Sequence, residues 1–514
     1  MQPAIVWFRD DLRLADNPAL HAAAHSRRPL VCIYIHDEKT RGLRSLGAAA
    51  RWWLHGSLEA LQGALTKHGG RLTILRGASG ETLNSVVDAV NAEAVYWNRR
   101  YDAGGRKIDD DLETALEQRG IEVETFNGHL LHEPWTLENQ SGKPFRVFTA
   151  YWRTALKQAP GAPLPAPRKL HWHAPFKLRP EPPDSPPGGP GSKLRPVPLT
   201  SLGLRPQAPD WANGIHAAWR PGEAGAHAHL ERFLARTLSN YSTDRDRPDR
   251  QGTSRLSPYL CFGNISARQV WHTAQQAVRS RRSPALPREL QKFLAELGWR
   301  EFNYHVLYHH PDLAARNFQS RFDPLRWRRD RRGLEAWRRG RTGYPIVDAG
   351  MRELWTTGWM HNRVRMVTAS FLIKHLLIDW RSGEQWFWDT LVDADPANNP
   401  ANWQWVAGTG ADAAPYFRIF NPVLQGEKFD PDGEYVRHWV PELARLPAKL
   451  IHKPWTARAE QLAAAGVRLG KTYPHPIVDH HKARLRALRF RQVAGVTSAP
   501  ARSRSAERNI DIEA

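Results

Sequence analysis

The chain has 514 residues and 41% hydrophobic content, enough for two to four domains with ample cores. Its net charge is +21, and Arg outnumbers Lys 58 to 15. So many planar, bidentate cations point to an acidic polymer, most simply nucleic acid, with an Arg-favouring composition as the plain alternative. Two cysteines, Cys32 and Cys261, exclude a disulfide framework and a cysteine zinc site; no apolar run of about 18 residues predicts a membrane span, and the N-terminus lacks a secretory pattern, so a cytoplasmic location is expected.

In chain order, residues 4–8 and 30–35 are apolar, β-branched runs that predict strands. Residues 46–67 predict a helix, with Leu54, Leu58, Leu61 and Leu65 at helical spacing. Further strands are expected over 72–75, 94–97 and 123–126, with helices over 83–90 and 108–118. This alternation predicts an α/β domain over residues 1–133, a doubly wound parallel sheet with helices on both faces. No Gly-x-Gly-x-x-Gly follows the first strand, so a dinucleotide fingerprint is absent. Residues 134–223 read as an inter-domain connector; 159–210 are rich in Pro, Gly and Ser, most clearly in Pro186-Pro-Gly-Gly-Pro-Gly191. Residues 224–494 read as all helical, including 289–308 and a deeply buried helix over 363–380, and Leu230, Phe233, Leu234 and Leu238 mark one helix. The tail, 495–514, is Ser/Arg/Ala-rich and expected to be disordered.

Eleven of the 22 tryptophans fall between Trp271 and Trp405, interrupted by Arg and Asp. Trp carries an N–H that wants a partner when buried, so this density points to a flat aromatic ligand, a nucleobase or an electron path, against a bulky helical core. In Gly252-Thr253-Ser254-Arg255-Leu256-Ser257-Pro258, Ser257 suits an N-cap and Pro258 the first helical position, so the stretch is either a plain capped helix or a pyrophosphate site. Asp393-Ala394-Asp395 lacks the glycine and late Glu of a calcium loop, so metal is not expected; a turn, or a partner for a buried Arg, stays open. In Met360-His361-Asn362-Arg363-Val364-Arg365-Met366, two arginines open a buried helix against its dipole, which a sequence tolerates when they have other work; Arg365 with Asp393 is the expected pair. Glu296 and Arg300 stand four apart on a helix, where an ordinary ion pair is the plain reading, and Trp299 beside them could stack on a base. His309-His310 and His480-His481 read as exposed helix ends.

Taken together, these segments resemble the photolyase and cryptochrome family, with Trp7-Phe-Arg-Asp-Asp-Leu-Arg-Leu14, the Gly252 to Ser257 motif, Trp299-Arg-Glu-Phe302, Thr342-Gly-Tyr-Pro-Ile-Val-Asp-Ala349, Gly358-Trp-Met-His-Asn-Arg363 and Phe417-Arg-Ile-Phe-Asn-Pro422 in the family's order. The chain looks most like a bacterial class I cyclobutane pyrimidine dimer photolyase. The resemblance implies an N-terminal antenna domain, an all-helical domain holding FAD, and light-driven repair of pyrimidine dimers in DNA by a monomer. It places Tyr241, Thr253, Ser254, Arg255, Leu256, Ser257, Arg365, Asp393, Ala394, Asp395 and Asn399 around FAD, with Asn399 at the flavin's reactive ring nitrogen. It makes Trp403, Trp380 and Trp327 an electron relay running from flavin to surface. Glu296, Trp299, Asn303, Asn362, Met366 and Trp405 fall in the dimer pocket, and Arg245, Arg300, Arg363 and Gln425 at positions that touch DNA or line that pocket.

One departure concerns the antenna: the Asn-Glu pair of folate-using members is replaced by Tyr101-Asp-Ala-Gly104-Gly105-Arg106, which leaves a deazaflavin, another flavin, a differently held folate or no second chromophore open. A signalling cryptochrome, a (6–4) photoproduct photolyase and a light-independent single-strand binder are the competing readings. The Glu296, Trp299, Met366 and Trp405 set and the basic charge favour dimer repair.

Overall fold

Alternating side chains sort the strands of the α/β part onto two cores. The computed structural model describes residues 1–174, 195–281, 283–415 and 418–493. Strands β1 (Ala4–Phe8), β2 (Leu30–His36), β3 (Leu72–Arg76), β4 (Ala94–Asn98) and β5 (Glu122–Phe126) form one parallel sheet in the order β3-β2-β1-β4-β5. Ala4, Val6 and Phe8 of β1 pack with α1 (Pro18–His25) and α2 (Ala48–Lys67), whereas Ile5 and Trp7 pack with α3 (Ser79–Val90) and α4 (Ala103–Glu117). The doubly wound sheet is therefore as expected.

Helix α4 starts five residues before the expected 108, because the Asp102 side chain accepts from Gly105 N–H and caps it. Gly104 is required there: a Cβ would overlap the Gly42 backbone. In the connector, α5 (Phe148–Ala155) was not expected; it packs on a long helix of the second half. The Pro186 to Gly191 stretch and the expected disordered tail lie outside the described residues, as does Phe417.

The second half is helical. α6 (Glu223–Arg232) runs into a π-turn, Phe233–Thr237, which keeps Leu230, Phe233, Leu234 and Leu238 all buried. Then come α7 (Ser257–Cys261), α8 (Leu286–His309), α9 (Pro345–Thr357), α10 (Asn362–Ser370), α11 (Trp380–Thr390), α12 (Asn398–Ala407), α13 (Pro422–Phe429) and α14 (His480–Val493), among further helices such as Ala267–Arg279 and Arg331–Arg338. The single helix expected over 363–380 is two. α10 loosens into a π-turn at Phe371–His375, Leu377 adopts a left-handed φ of 53°, and the Asp379 side chain caps α11 by accepting from Arg381 N–H at 3.0 Å. The apolar run carries no stop signal, and the break comes from the chain turning inside the core.

The core on the α1–α2 face of the sheet continues into the helical half, joining Leu58 with Leu230, Phe233 and Tyr259. Trp53 Nε1 donates to Asn264 Oδ1 across this junction at 3.0 Å. Among the described residues no helix is long and apolar enough to cross a membrane.

Candidate functional site

Four helices, α8, α10, α11 and α12, carry most of the expected site, and the segment between α11 and α12 holds its central carboxylate. Arg365 reaches back along α10, its Nε donating to Met360 O at 2.7 Å and its fork closing on Asp393 at 3.1 and 2.8 Å. Asp393 is buried, so this is the charge-compensated pair expected for an Arg at a helix start. Ser257 completes the cluster. It was expected to cap α7; instead it is the first helical residue, and its hydroxyl donates to Asp393 Oδ2 at 2.6 Å. Its neighbours Leu256 and Pro258 are buried while Ser257 is exposed, and its hydroxyl also accepts from Trp359 Nε1 at 3.4 Å.

The other members of that loop divide. Leu256 is buried, so only its backbone is free to meet a ligand. Arg255, at a positive φ of 53°, lies between Trp219 and Trp359, 4.2 and 4.9 Å from their ring centres, and its buried Nε has no partner. Tyr241 is buried edge-on against Phe233 and Phe293, beneath the Arg245 guanidinium.

The Asp395 carboxylate accepts from Ala397 N–H, Asn398 N–H and Asn398 Nδ2, which completes the turn into α12. Burial raises its pKa. Ala394 is buried and its carbonyl accepts from the Cys261 thiol. Asn399, one residue into α12, gives its Nδ2 to Glu384 of α11, at 3.0 Å to the carbonyl and 2.8 Å to the carboxylate.

On α8, Glu296 and Arg300 do not pair with each other. Glu296 forms an ion pair with Arg245, and burial raises its pKa against the pull of that arginine. Arg300 is turned inward, 2.7 Å from Glu301 and 5.0 Å from the Tyr304 ring centre. It is only 8% exposed, as is Arg363. Trp299 is half-buried and stacks on Phe148 of α5 at 3.8 Å and 10°. Asn303 donates to Asn398 Oδ1 at 2.8 Å, tying α8 to α12. Arg363 pairs with Asp246 at 2.9 Å, Asn362 is exposed, and Met366, Trp405 and Gln425 are half-buried, the last with an unpartnered Oε1.

Trp380 and Trp403 are buried in one cluster, and Trp327 packs against it half-exposed. Trp380 Nε1 donates to Asn317 Oδ1 at 2.9 Å, while the buried Trp403 Nε1 has no partner. Gly383 makes room for Trp403, since a Cβ would overlap its ring. Trp327 abuts Phe490 of α14 at 5.6 Å. The histidine reading was half right: His480 is not a free end but hydrogen-bonds buried His375 at 2.8 Å.

Two cavities adjoin these residues. One, of about 290 Å³, borders Thr253, Ser254 and Arg255; Arg220, Arg232 and His229 also line it, and no carboxylate does. That charge and the unpartnered Arg255 Nε fit a ligand bearing phosphates. The second, of about 180 Å³, lies at the C-terminal ends of β1 and β4, where the strand order reverses, and is lined by Asp10, Arg100, Tyr101, Asp102, His129 and Trp388 among others.

Sequence reasoning missed Glu384, Arg44, Trp359 and Phe148. Glu384 had a visible signal, one helical turn after Trp380 in the tryptophan-dense stretch, and Trp359 lay within the Gly358 to Arg363 motif.

Residues 4–168 match the family model described as DNA photolyase, and residues 293–492 the model described as FAD binding domain of DNA photolyase. A deoxyribodipyrimidine photo-lyase of Agrobacterium fabrum is 51% identical over 488 residues, 95% of this chain and 97% of that protein. Cryptochrome-1 of Arabidopsis thaliana is 39% identical over 491 residues, 94% of this chain and 69% of that protein. The crystal structure of a bacterial class III photolyase from Agrobacterium tumefaciens matches with a TM-score of 0.90 and 48% identity, covering 97% of this chain and 98% of that one. Because that structure is a class III enzyme, the class I placement expected from the motifs is not carried forward.

Proposed function

Because the chain belongs to the DNA photolyase family, we propose that it repairs cyclobutane pyrimidine dimers in DNA with light, as a deoxyribodipyrimidine photo-lyase that uses FAD. When bound, FAD in its reduced, light-excited form supplies the electron that opens the four-membered ring, and takes it back once two carbon–carbon bonds have broken. The chain's own residues bind, orient and shield. In this reading Tyr241 and Thr253 to Ser257 meet the diphosphate side of the cofactor, and Arg365 and Asp395 belong to the surround of the flavin. Asp393 holds Arg365 in place, and Asn399 meets the reactive edge. Trp403, Trp380 and Trp327 form a path along which electrons enter from the surface.

A dimer reaches this centre by leaving the duplex, a step photolyases share with other enzymes that act on extruded bases. Trp299, braced from behind by Phe148, offers its other face for stacking, worth about 1–3 kcal/mol per base. Glu296, whose pKa burial raises against the pull of Arg245, stands on the same helix face for a hydrogen bond to a thymine N–H or carbonyl. Arg245, Arg363 and Gln425 stand beside it for the strand around the lesion. Residues 1–133 serve light capture, 134–223 connect, and 224–494 carry the chemistry. The 180 Å³ cavity is the proposed seat of a second chromophore of folate or deazaflavin type, because Tyr101 and Asp102, which replace the folate-binding pair, line it. A cytoplasmic location and a monomeric state belong to the same proposal.

The observation that carries repair over sensing is the Trp299–Phe148 stack beside Glu296, a platform for a flat base that a flavin photosensor does not need. The identity to cryptochromes makes sensing the second reading. The test is illumination of pre-reduced protein with DNA containing dimers, against a dark control and a (6–4) photoproduct substrate. Restored thymines only in the lit dimer sample are expected; a flavin-bearing protein that restores neither lesion would move the chain to sensing.

A further inference from the structure

We propose that Arg44, on the loop after β2, is a positioning residue for the photochemical centre that acts through Glu384 on Asn399; this rests on the reading of Asn399 as part of the cofactor site. The loop is pinned at both ends. Asp37 accepts from the backbone N–H groups of Lys39, Thr40 and Ser79. At the other end Trp388 Nε1 donates to Ser45 O at 2.9 Å, Ala48 N–H donates to Asp389 Oδ1 at 3.0 Å, and a Cβ on Gly47 would overlap the Trp388 carbonyl. Between these anchors the Arg44 guanidinium lies 3.9 Å from the Trp388 ring centre and forks onto Glu384, at 2.6 Å to Oε1 and 2.8 Å to Oε2.

Glu384 has a side chain only 2% exposed, and Arg44 is the cation paired with it among the described residues. A carboxylate so buried holds its place only with such a partner. The same carboxylate and its own backbone carbonyl both accept from Asn399 Nδ2. A primary amide has two N–H donors, and both are taken, so the Asn399 carbonyl oxygen is the polar atom left to present. An acceptor there favours a ligand form with an N–H at the facing atom over one with a lone pair. Without Arg44 the carboxylate loses its counter-charge and its fixed geometry, and the amide becomes free to turn its donors outward.

The test uses the full chain with bound FAD and spectroelectrochemical titration of the flavin. Loss of one charge-assisted anchor should move the ratio of reduced to oxidised flavin at a fixed potential by about tenfold toward oxidised in Arg44→Met. Arg44→Gln, which keeps a planar head over Trp388, should do the same and carries the test if Arg44→Met does not fold; Arg44→Lys, which restores the charge without the fork, should recover part of the shift. Arg44→Met combined with Glu384→Gln should shift no further than Glu384→Gln alone. The melting temperature of the FAD-free chain separates lost packing, which would lower it and leave the ratio in place. An unchanged ratio in a flavin-bearing Arg44→Gln protein, or additive shifts in the double variant, overturns the role of Arg44. A wild-type chain that binds no FAD overturns the cofactor reading instead.

Discussion

Acidification should unseat α10 through His361. This side chain caps the helix, its Nδ1 accepting from Arg363 N–H at 3.2 Å, so the fold requires a neutral ring. Burial, together with Arg363, Arg245 and Arg365 around it and only Asp246 opposing, lowers its pKa to about 4. The unfolded chain takes up that proton near pH 6.5, so the stability contributed is fully present above pH 6.5 and is lost as pH falls toward 4. At about 1.36 kcal/mol per unit, roughly 2 kcal/mol is lost by pH 5 and about 3 kcal/mol below pH 4. Protonation also removes the cap, and α10 carries Arg363 and Arg365, so bound cofactor should be released in the same range. The assay is urea denaturation of wild type and His361→Asn at pH 7.5 and pH 5, with flavin release followed by fluorescence. Asn caps helices but does not titrate, so the variant should lose about 2 kcal/mol less than wild type between the two pH values. Buried His375 and His305 titrate in both proteins and cancel. Equal pH dependence of the two proteins would refute the assignment.

Trp403→Phe should slow photoreduction of oxidised flavin and spare repair by chemically reduced protein; lost repair in the pre-reduced variant contradicts that division of roles. Trp299→Ala should weaken binding to dimer-containing DNA by about 1–3 kcal/mol and leave undamaged DNA nearly unaffected, as gel-shift titration can measure; equal losses on both would make Trp299 structural. Gly383→Ala should lower the melting temperature by an overpacking cost of about 1–3 kcal/mol, although Ala is the better helix former, because its Cβ meets the Trp403 ring; a stabilised variant would show that the ring moves aside freely.

The parallel sheet was legible because strand and helix periods alternate cleanly; the polar first turns of α3 and α4 and the whole of the short α1 lay outside the apolar pattern. The Arg365–Asp393 pair was legible for an electrostatic reason: cations do not open a buried helix unless a carboxylate waits for them. The break at Leu377 was not, because a run of buried apolar residues reads the same whether the helix continues or turns. Nor was Arg44–Glu384, whose members lie 340 residues apart. No local pattern encodes a pair made by docking one half of the chain onto the other.

The excess of arginine, read from composition as a grip on nucleic acid, divides in the fold. Arg9 is paired with Asp109, Arg13 donates to the carbonyls of Asp16, Gly128 and Gly263, and Arg300 is closed against Glu301; all are buried and out of reach of a phosphate. At the proposed pocket Arg245 and Arg363 are already paired, with Glu296 and Asp246. A phosphate arriving at either exchanges one anion for another, and the net gain is smaller than for an unpaired cation. Freed of Arg245, Glu296 loses the attraction that holds down its pKa and keeps the burial that raises it, so the proton needed by a lesion's carbonyl becomes easier to hold as the strand docks. Charge therefore assembles the protein on any DNA weakly, while the stacking face of Trp299 and the Glu296 carboxyl respond to the lesion.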